Sequence, residues 1–178
     1  LVALVVPSGV VALLAPPNNG DGYTYHMSRD MHWQQNASVA HYPTHILRQL
    51  QLGPAAEFGI LHQQILSGGD RFANVIQWLA MTGSVIAATL IAWRLGASWR
   101  GELLAGILVA TLPMGILQSS STQNDYVLAF FLMAMTYEVL VWLERPDWRP
   151  AVGAGAGLGL AVLTKALAAV YAPAVLLC

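Results

Sequence analysis

Long apolar runs separated by short charged connectors limit what this chain can fold into more than any other feature. The sequence is apolar over 1–16, 72–95, 103–117, 126–143 and 151–178, and 103–117 reaches spanning length if Gly101 and Gln118 are included. A helix that crosses the hydrocarbon core of a bilayer needs about 20 predominantly apolar residues. The expected fold class is therefore all-α: a polytopic transmembrane helix bundle with spans near 1–16, 72–95, 101–118, 126–143 and 151–173. Charged residues make up 10% of the chain, against about 25% in soluble domains, too few to cover a water-facing surface. The net charge of −1 and the lack of a basic run leave no electrostatic footprint for nucleic acid. Both ends fall within apolar sequence, so the expectation is one transmembrane unit over 1–178, a piece of a longer protein.

Arginine placement orients the spans. Arg94, Arg100, Arg145 and Arg149 crowd the two short connectors, whereas the much longer stretch 17–71 holds only Arg29, Arg48 and Arg71. Basic residues concentrate on the cytoplasmic side of membrane proteins, so the loop 17–71 and the connector 119–125 are expected to face outward. That loop holds all five histidines with Tyr23, Tyr25, Trp33 and Tyr42, an aromatic content foreign to disordered segments. Helices are expected over 22–35, 43–52 and 54–66. The last begins at Pro54 and ends before Gly68-Gly69, a start and stop pattern for a helix. It is too short to span and is expected to lie in the membrane interface.

Against this apolar background the acids matter. An ionised carboxylate at mid-bilayer costs about 3 kcal/mol or more on insertion scales, so acids gathered at one rim are site candidates. Asp21 follows the turn-forming run Pro16-Pro17-Asn18-Asn19-Gly20, and Asp125 ends the polar run Ser119-Ser120-Ser121-Thr122-Gln123-Asn124. Each reads equally as an N-cap that accepts backbone N–H bonds. Lys165, near the outer end of the last run, is either a site residue or a lysine reaching back to the headgroups. Glu57 points into a cavity or up from an interfacial helix, and His26 is an acceptor-site group or polar surface. Arg29 is a site cation or the solvated neighbour of Asp30.

The order of these features resembles the membrane glycosyltransferases of the GT-C fold, the group that includes protein O-mannosyltransferases and lipid A aminoarabinose transferases. Asp21, Tyr25 and Arg29 are similar to that group's loop opening, and Pro54-Ala55-Ala56-Glu57-Phe58 to its Pro-led interfacial helix. Arg94-Leu95-Gly96, Ala110-Thr111-Leu112-Pro113 and Asp125 ahead of Phe130-Phe131 follow in the family order. Gly159-Leu160-Ala161-Val162-Leu163-Thr164-Lys165 resembles its Gly-Leu-x-x-Leu-Thr-Lys run. Two positions depart: Gly22 stands where many members have Glu, and Ala166 where many have Gly.

The resemblance implies an enzyme that moves a sugar from a polyprenyl-phosphate carrier to a protein, lipid or glycan acceptor at the non-cytoplasmic face, with inversion. It implies an integral protein of a bacterial inner (plasma) membrane, surrounded by membrane lipid, with the site facing outward. Asp21 and Asp125 are the expected catalytic residues, Arg29 and Lys165 the donor phosphate ligands, and Tyr25, His26 and Glu57 the acceptor or pocket residues. The resemblance fixes no cofactor and assigns no metal ligands, and it leaves room for a divalent metal. The rival readings are a transporter or channel segment, in which Asp21, Asp125 and Lys165 line a permeation route, and a non-catalytic truncated membrane protein.

Overall fold

In the computed structural model, which describes residues 1–176, regular structure is entirely helical among the described residues. Helix α1 (Val2–Leu14) stops where Pro16 and Pro17 forbid continuation: Ala15, the residue before proline, is extended at φ −86° and ψ 137°. A single π-helical turn (Gly22–His26) runs straight into α2 (Met27–Asn36). Next come a one-turn α3 (Arg48–Gln51) and α4 (Ala55–Ser67), which ends on Gly68 at φ 72°. The long helices are α5 (Val75–Arg94), α8 (Asp125–Glu144) and α9 (Trp148–Thr164), with α6 (Trp99–Ala110), α7 (Pro113–Gln118) and α10 (Ala168–Leu176) completing the set.

Helix α8 packs between α5 and α9, while α1 and α6 flank α5. Small residues set these distances. A Cβ built at Gly157 of α9 would lie 3.0 Å from the Met135 backbone nitrogen of α8, and one at Gly83 of α5 would lie 2.7 Å from the Phe130 ring. Direction follows from paired positions. Ala80 and Met81 meet Tyr126 and Val127, and Arg94 meets Glu144, so α5 and α8 run the same way. Ala161 meets Leu128 and Gly153 meets Glu138, so α9 runs back. The Asn74 amide donates to the Ala15 carbonyl at 3.0 Å. One end of the bundle, called the rim below, therefore collects Ala15, Asn74, Asp125 and Lys165. The other collects Arg94, Glu144 and the turns around them.

The expected five spans are corrected in three places. Among the described residues two helices are long and apolar enough to cross a membrane, Asp70–Arg94 (counted with its leading turn) and Asp125–Glu144. The run expected over 101–118 is two helices broken at Pro113, which lacks an N–H and whose ring forces Leu112 out of helical geometry (ψ 118°). The run expected over 151–173 ends at Thr164, and Lys165 is extended (φ −148°, ψ 130°). From there α10 turns back: Ala168 packs near Leu128 and Ala161, while Val175 lines a cavity with Met135, Val139 and Ala154. The run 1–16 yields the 13-residue α1, shorter than a span. Cys178 lies outside the described residues.

Helices do form at the expected places in the loop 17–71, apart from 43–52, of which only Arg48–Gln51 is helical. Trp33, Tyr42 and Leu61 form a small core of their own. Met27, Ile60 and Ala73 form a second that fixes α2 and α4 onto the start of α5. Outward along the bundle, Val6, Val10, Leu79, Ile86, Leu103, Leu104, Leu108, Val152 and Leu160 are exposed, an apolar surface far larger than water-soluble monomers display.

Candidate active site at the bundle rim

Two close backbone seams bring the loop onto the rim. The Gly22 N–H donates to Asn19 Oδ1 at 2.5 Å, and any Cβ at Gly22 would collide with the Thr122 hydroxyl. The opening of the loop thus lies directly on the 119–124 connector. At the second seam Gly53 sits on the Leu163 carbonyl, so the residue after α3 and Leu52 touches the end of α9.

Between these seams the charged groups converge. Lys165 Nζ donates to Asp125 Oδ1 at 2.6 Å, a short charge-assisted bond. Arg48 Nη1 lies 3.7 Å from Asp21 Oδ1, with both side chains about half exposed or more, and its guanidinium stacks 5.2 Å over the Tyr25 ring. Tyr25 is buried, and burial first, then the neighbouring Asp21 carboxylate, pushes its phenol up to about 12. Asp125 adds to the same effect, so both carboxylates act on one phenol. Neither aspartate behaves as a helix cap: Asp21 makes no side-chain capping hydrogen bond, and Asp125 Oδ1 accepts from Lys165.

The remaining expected site residues lie below this surface. Arg29 is 1% exposed and donates Nε to the Gln49 carbonyl at 2.6 Å and Nη2 to the Arg48 and Leu52 carbonyls at 3.0 Å each. Its guanidinium is therefore held by main-chain carbonyls inside the loop rather than presented at the surface, where the expected phosphate contact would need it. His26 Nδ1 is hydrogen-bonded to Glu57 Oε1, and both side chains are buried, so these two expected pocket residues face each other in the loop interior. Glu57 Oε2 lies 3.9 Å from Arg29 Nη1. Asp30 completes this buried group with both oxygens lacking a hydrogen-bond partner. Burial, then the Glu57 charge, pushes its carboxyl up to about 9 against the opposing pull of Arg29.

The sequence reading missed Arg48 and the buried state of Asp30. A signal for Arg48 existed, since it is the one arginine or lysine between Arg29 and Arg71. Among the described residues no group of three or more His, Cys, Asp or Glu could hold a metal ion. A cavity of about 360 Å³ between α8, α9 and α10 is lined by Met135, Trp142, Leu158 and other residues without charge, away from the rim.

The described residues thus form an all-helical chain whose looped rim pairs acids with bases. A family model described as dolichyl-phosphate-mannose-protein mannosyltransferase matches residues 60–178, and the chain belongs to that family. Its activity class is accordingly glycosyl transfer of the mannosyltransferase type. The match includes Asp125 and Lys165 and begins after Asp21, Tyr25, His26, Arg29 and Glu57. No curated protein and no solved structure matches the chain.

Proposed function

We propose that the chain forms the rim of an enzyme that transfers a sugar from a polyprenyl-phosphate carrier to an acceptor at the non-cytoplasmic face of a membrane. The observation that carries this reading is the pairing of two rim carboxylates with two cations, Lys165 on Asp125 at 2.6 Å and Arg48 at 3.7 Å from Asp21. Family membership supplies the reaction class. The uncharged, apolar flanks of the bundle support a chain that crosses the bilayer several times, its shorter helices completing the passage with their neighbours. Four arginines at the opposite end support placing that end in the cytoplasm.

In the reaction an acceptor O–H or N–H attacks the anomeric carbon from the side opposite the lipid phosphate. The new C–O or C–N bond forms as the C–O bond to phosphate breaks, the proton passes to Asp21, and the polyprenyl phosphate departs with the electron pair. Inversion follows from that geometry. Asp21 suits the base because it is ionisable, half exposed and free of a capping bond. Lys165 offsets the leaving phosphate's charge, and Asp125 holds the ammonium at the rim until donor arrives. Tyr25, whose raised pKa keeps its O–H protonated, is a donor toward sugar or phosphate oxygens.

The test is transfer of labelled sugar from a polyprenyl-phosphate donor by the complete enzyme in lipid vesicles, comparing Asp21→Asn with the parent. Removal of a general base lowers rates by about 10²–10⁴-fold. Turnover by Asp21→Asn equal to the parent's removes the assignment.

A further inference from the structure

Helix α3 is a single turn, Arg48–Gln51, far too short to persist by itself. Buried groups hold it from both sides. Arg29 donates to the carbonyls of Arg48, Gln49 and Leu52, at 3.0, 2.6 and 3.0 Å. Gln49, 5% exposed, donates Nε2 to the Thr24 carbonyl at 2.8 Å. Its Oε1 accepts from the Tyr42 hydroxyl at 3.1 Å and from Thr44 Oγ1 at 3.0 Å. These bonds fasten α3 to the turn that carries Tyr25 and directly follows Asp21. The one side chain of α3 that this scaffold presents at the acid is Arg48, largely exposed and only loosely paired at 3.7 Å.

A pair this exposed contributes little to stability, so a buried scaffold of this extent is out of proportion to a structural role for Arg48. An exposed guanidinium, stacked on a tyrosine and close to the proposed base, is suited to bidentate contact with a phosphate. We propose that Arg48 binds the donor phosphate opposite Lys165, and that Arg29 and Gln49 are positioning residues acting through α3. This assignment rests on the proposed transferase reading and gives to Arg48 the role the sequence assigned to Arg29. A phosphate that draws Arg48 off Asp21 also leaves that carboxylate without its cation, so donor binding readies the base.

The experiment uses the complete enzyme in vesicles with two readouts: direct binding of sugar-free polyprenyl phosphate, and transfer kinetics with labelled donor. Arg48→Gln is expected to weaken polyprenyl phosphate binding and raise donor KM about tenfold or more, with acceptor KM unchanged and Arg48→Lys partly restoring both. Arg29→Lys is expected to raise donor KM in the same direction. Combined with Arg48→Gln it should add little more, since both act on one contact. Affinity for polyprenyl phosphate in Arg48→Gln within twofold of the parent overturns the inference, as does full additivity of the two variants. A parent that binds polyprenyl phosphate through Arg48 yet transfers no sugar overturns the transferase reading and leaves this inference standing.

Discussion

The two ends of the bundle are built on opposite terms. At the end away from the rim the connectors are short, Gly96 supplies the left-handed residue that closes α5 (φ 82°), and Arg94 meets Glu144 at 2.6 Å. Arginines there lie over their own tryptophans, Arg94 on Trp93, Arg100 on Trp99 and Arg149 on Trp148, at 4.7, 5.3 and 5.8 Å. Trp93, Trp99 and Trp148 are exposed, as suits the headgroup level. At the rim a long loop folds over the helix ends, and buried atoms of Asp30, Glu57, Asn74, Gln77, Thr122 and Asn124 have no hydrogen-bond partner among the described residues, whereas at the other end Arg94 Nε alone is in that state. Native proteins leave few such groups, and they gather where function demands it. One end is arranged for anchorage and the other keeps polar capacity in reserve.

The strongest way to break that contrast is to compare Asp21→Asn with Arg94→Gln in the transfer assay. The rim variant should lose about 10²–10⁴-fold in rate, and the other should stay within threefold of the parent. Comparable losses would erase the distinction between the ends.

Asp30 sharpens the contrast through pH. Its carboxyl is raised in the folded chain to about 9 from 3.8, so across that window the folded state holds a proton that the unfolded chain has released. Stability therefore falls as pH rises between those values, by up to about 1.4 kcal/mol per pH unit from this group. Asp30→Asn should flatten the profile of thermal midpoint against pH between 5 and 8. A profile as steep as the parent's would show that Asp30 is ionised in the fold.

Next in size, Gly53→Ala forces a methyl onto the Leu163 carbonyl, and overpacking of this kind costs about 1–3 kcal/mol. The thermal midpoint should drop and donor KM should rise together. Gly155→Ala, where a Cβ meets nothing within 4 Å, is the matched control and should leave both unchanged. Smallest is the stability effect of Arg94→Gln, which breaks a solvent-screened ion pair and should shift the thermal midpoint only slightly. A larger loss would mean that the anchoring end also carries the fold.

What the sequence revealed followed local rules. The helix over 55–67 was legible from Pro54 and Gly68, and the shared side of the loop 17–71 and the connector 119–125 from the arginines of the short connectors. Three features escaped, two of them because their causes are distant in sequence. The break at Lys165 has no proline or glycine beside it, and its side chain reaches an acid forty positions away. Arg29 is buried because carbonyls about twenty positions later need its N–H groups, which no helical period announces. The break at Pro113 was visible as a residue, but the apolar content on either side masked it.

Gly53 has a mechanical consequence. Its contact is with the main chain of α9, so no rotamer change can relieve or tighten it. Any tilt of α9 is handed to α3 without slack, and the distance between Arg48 and Lys165 is set by the same joint.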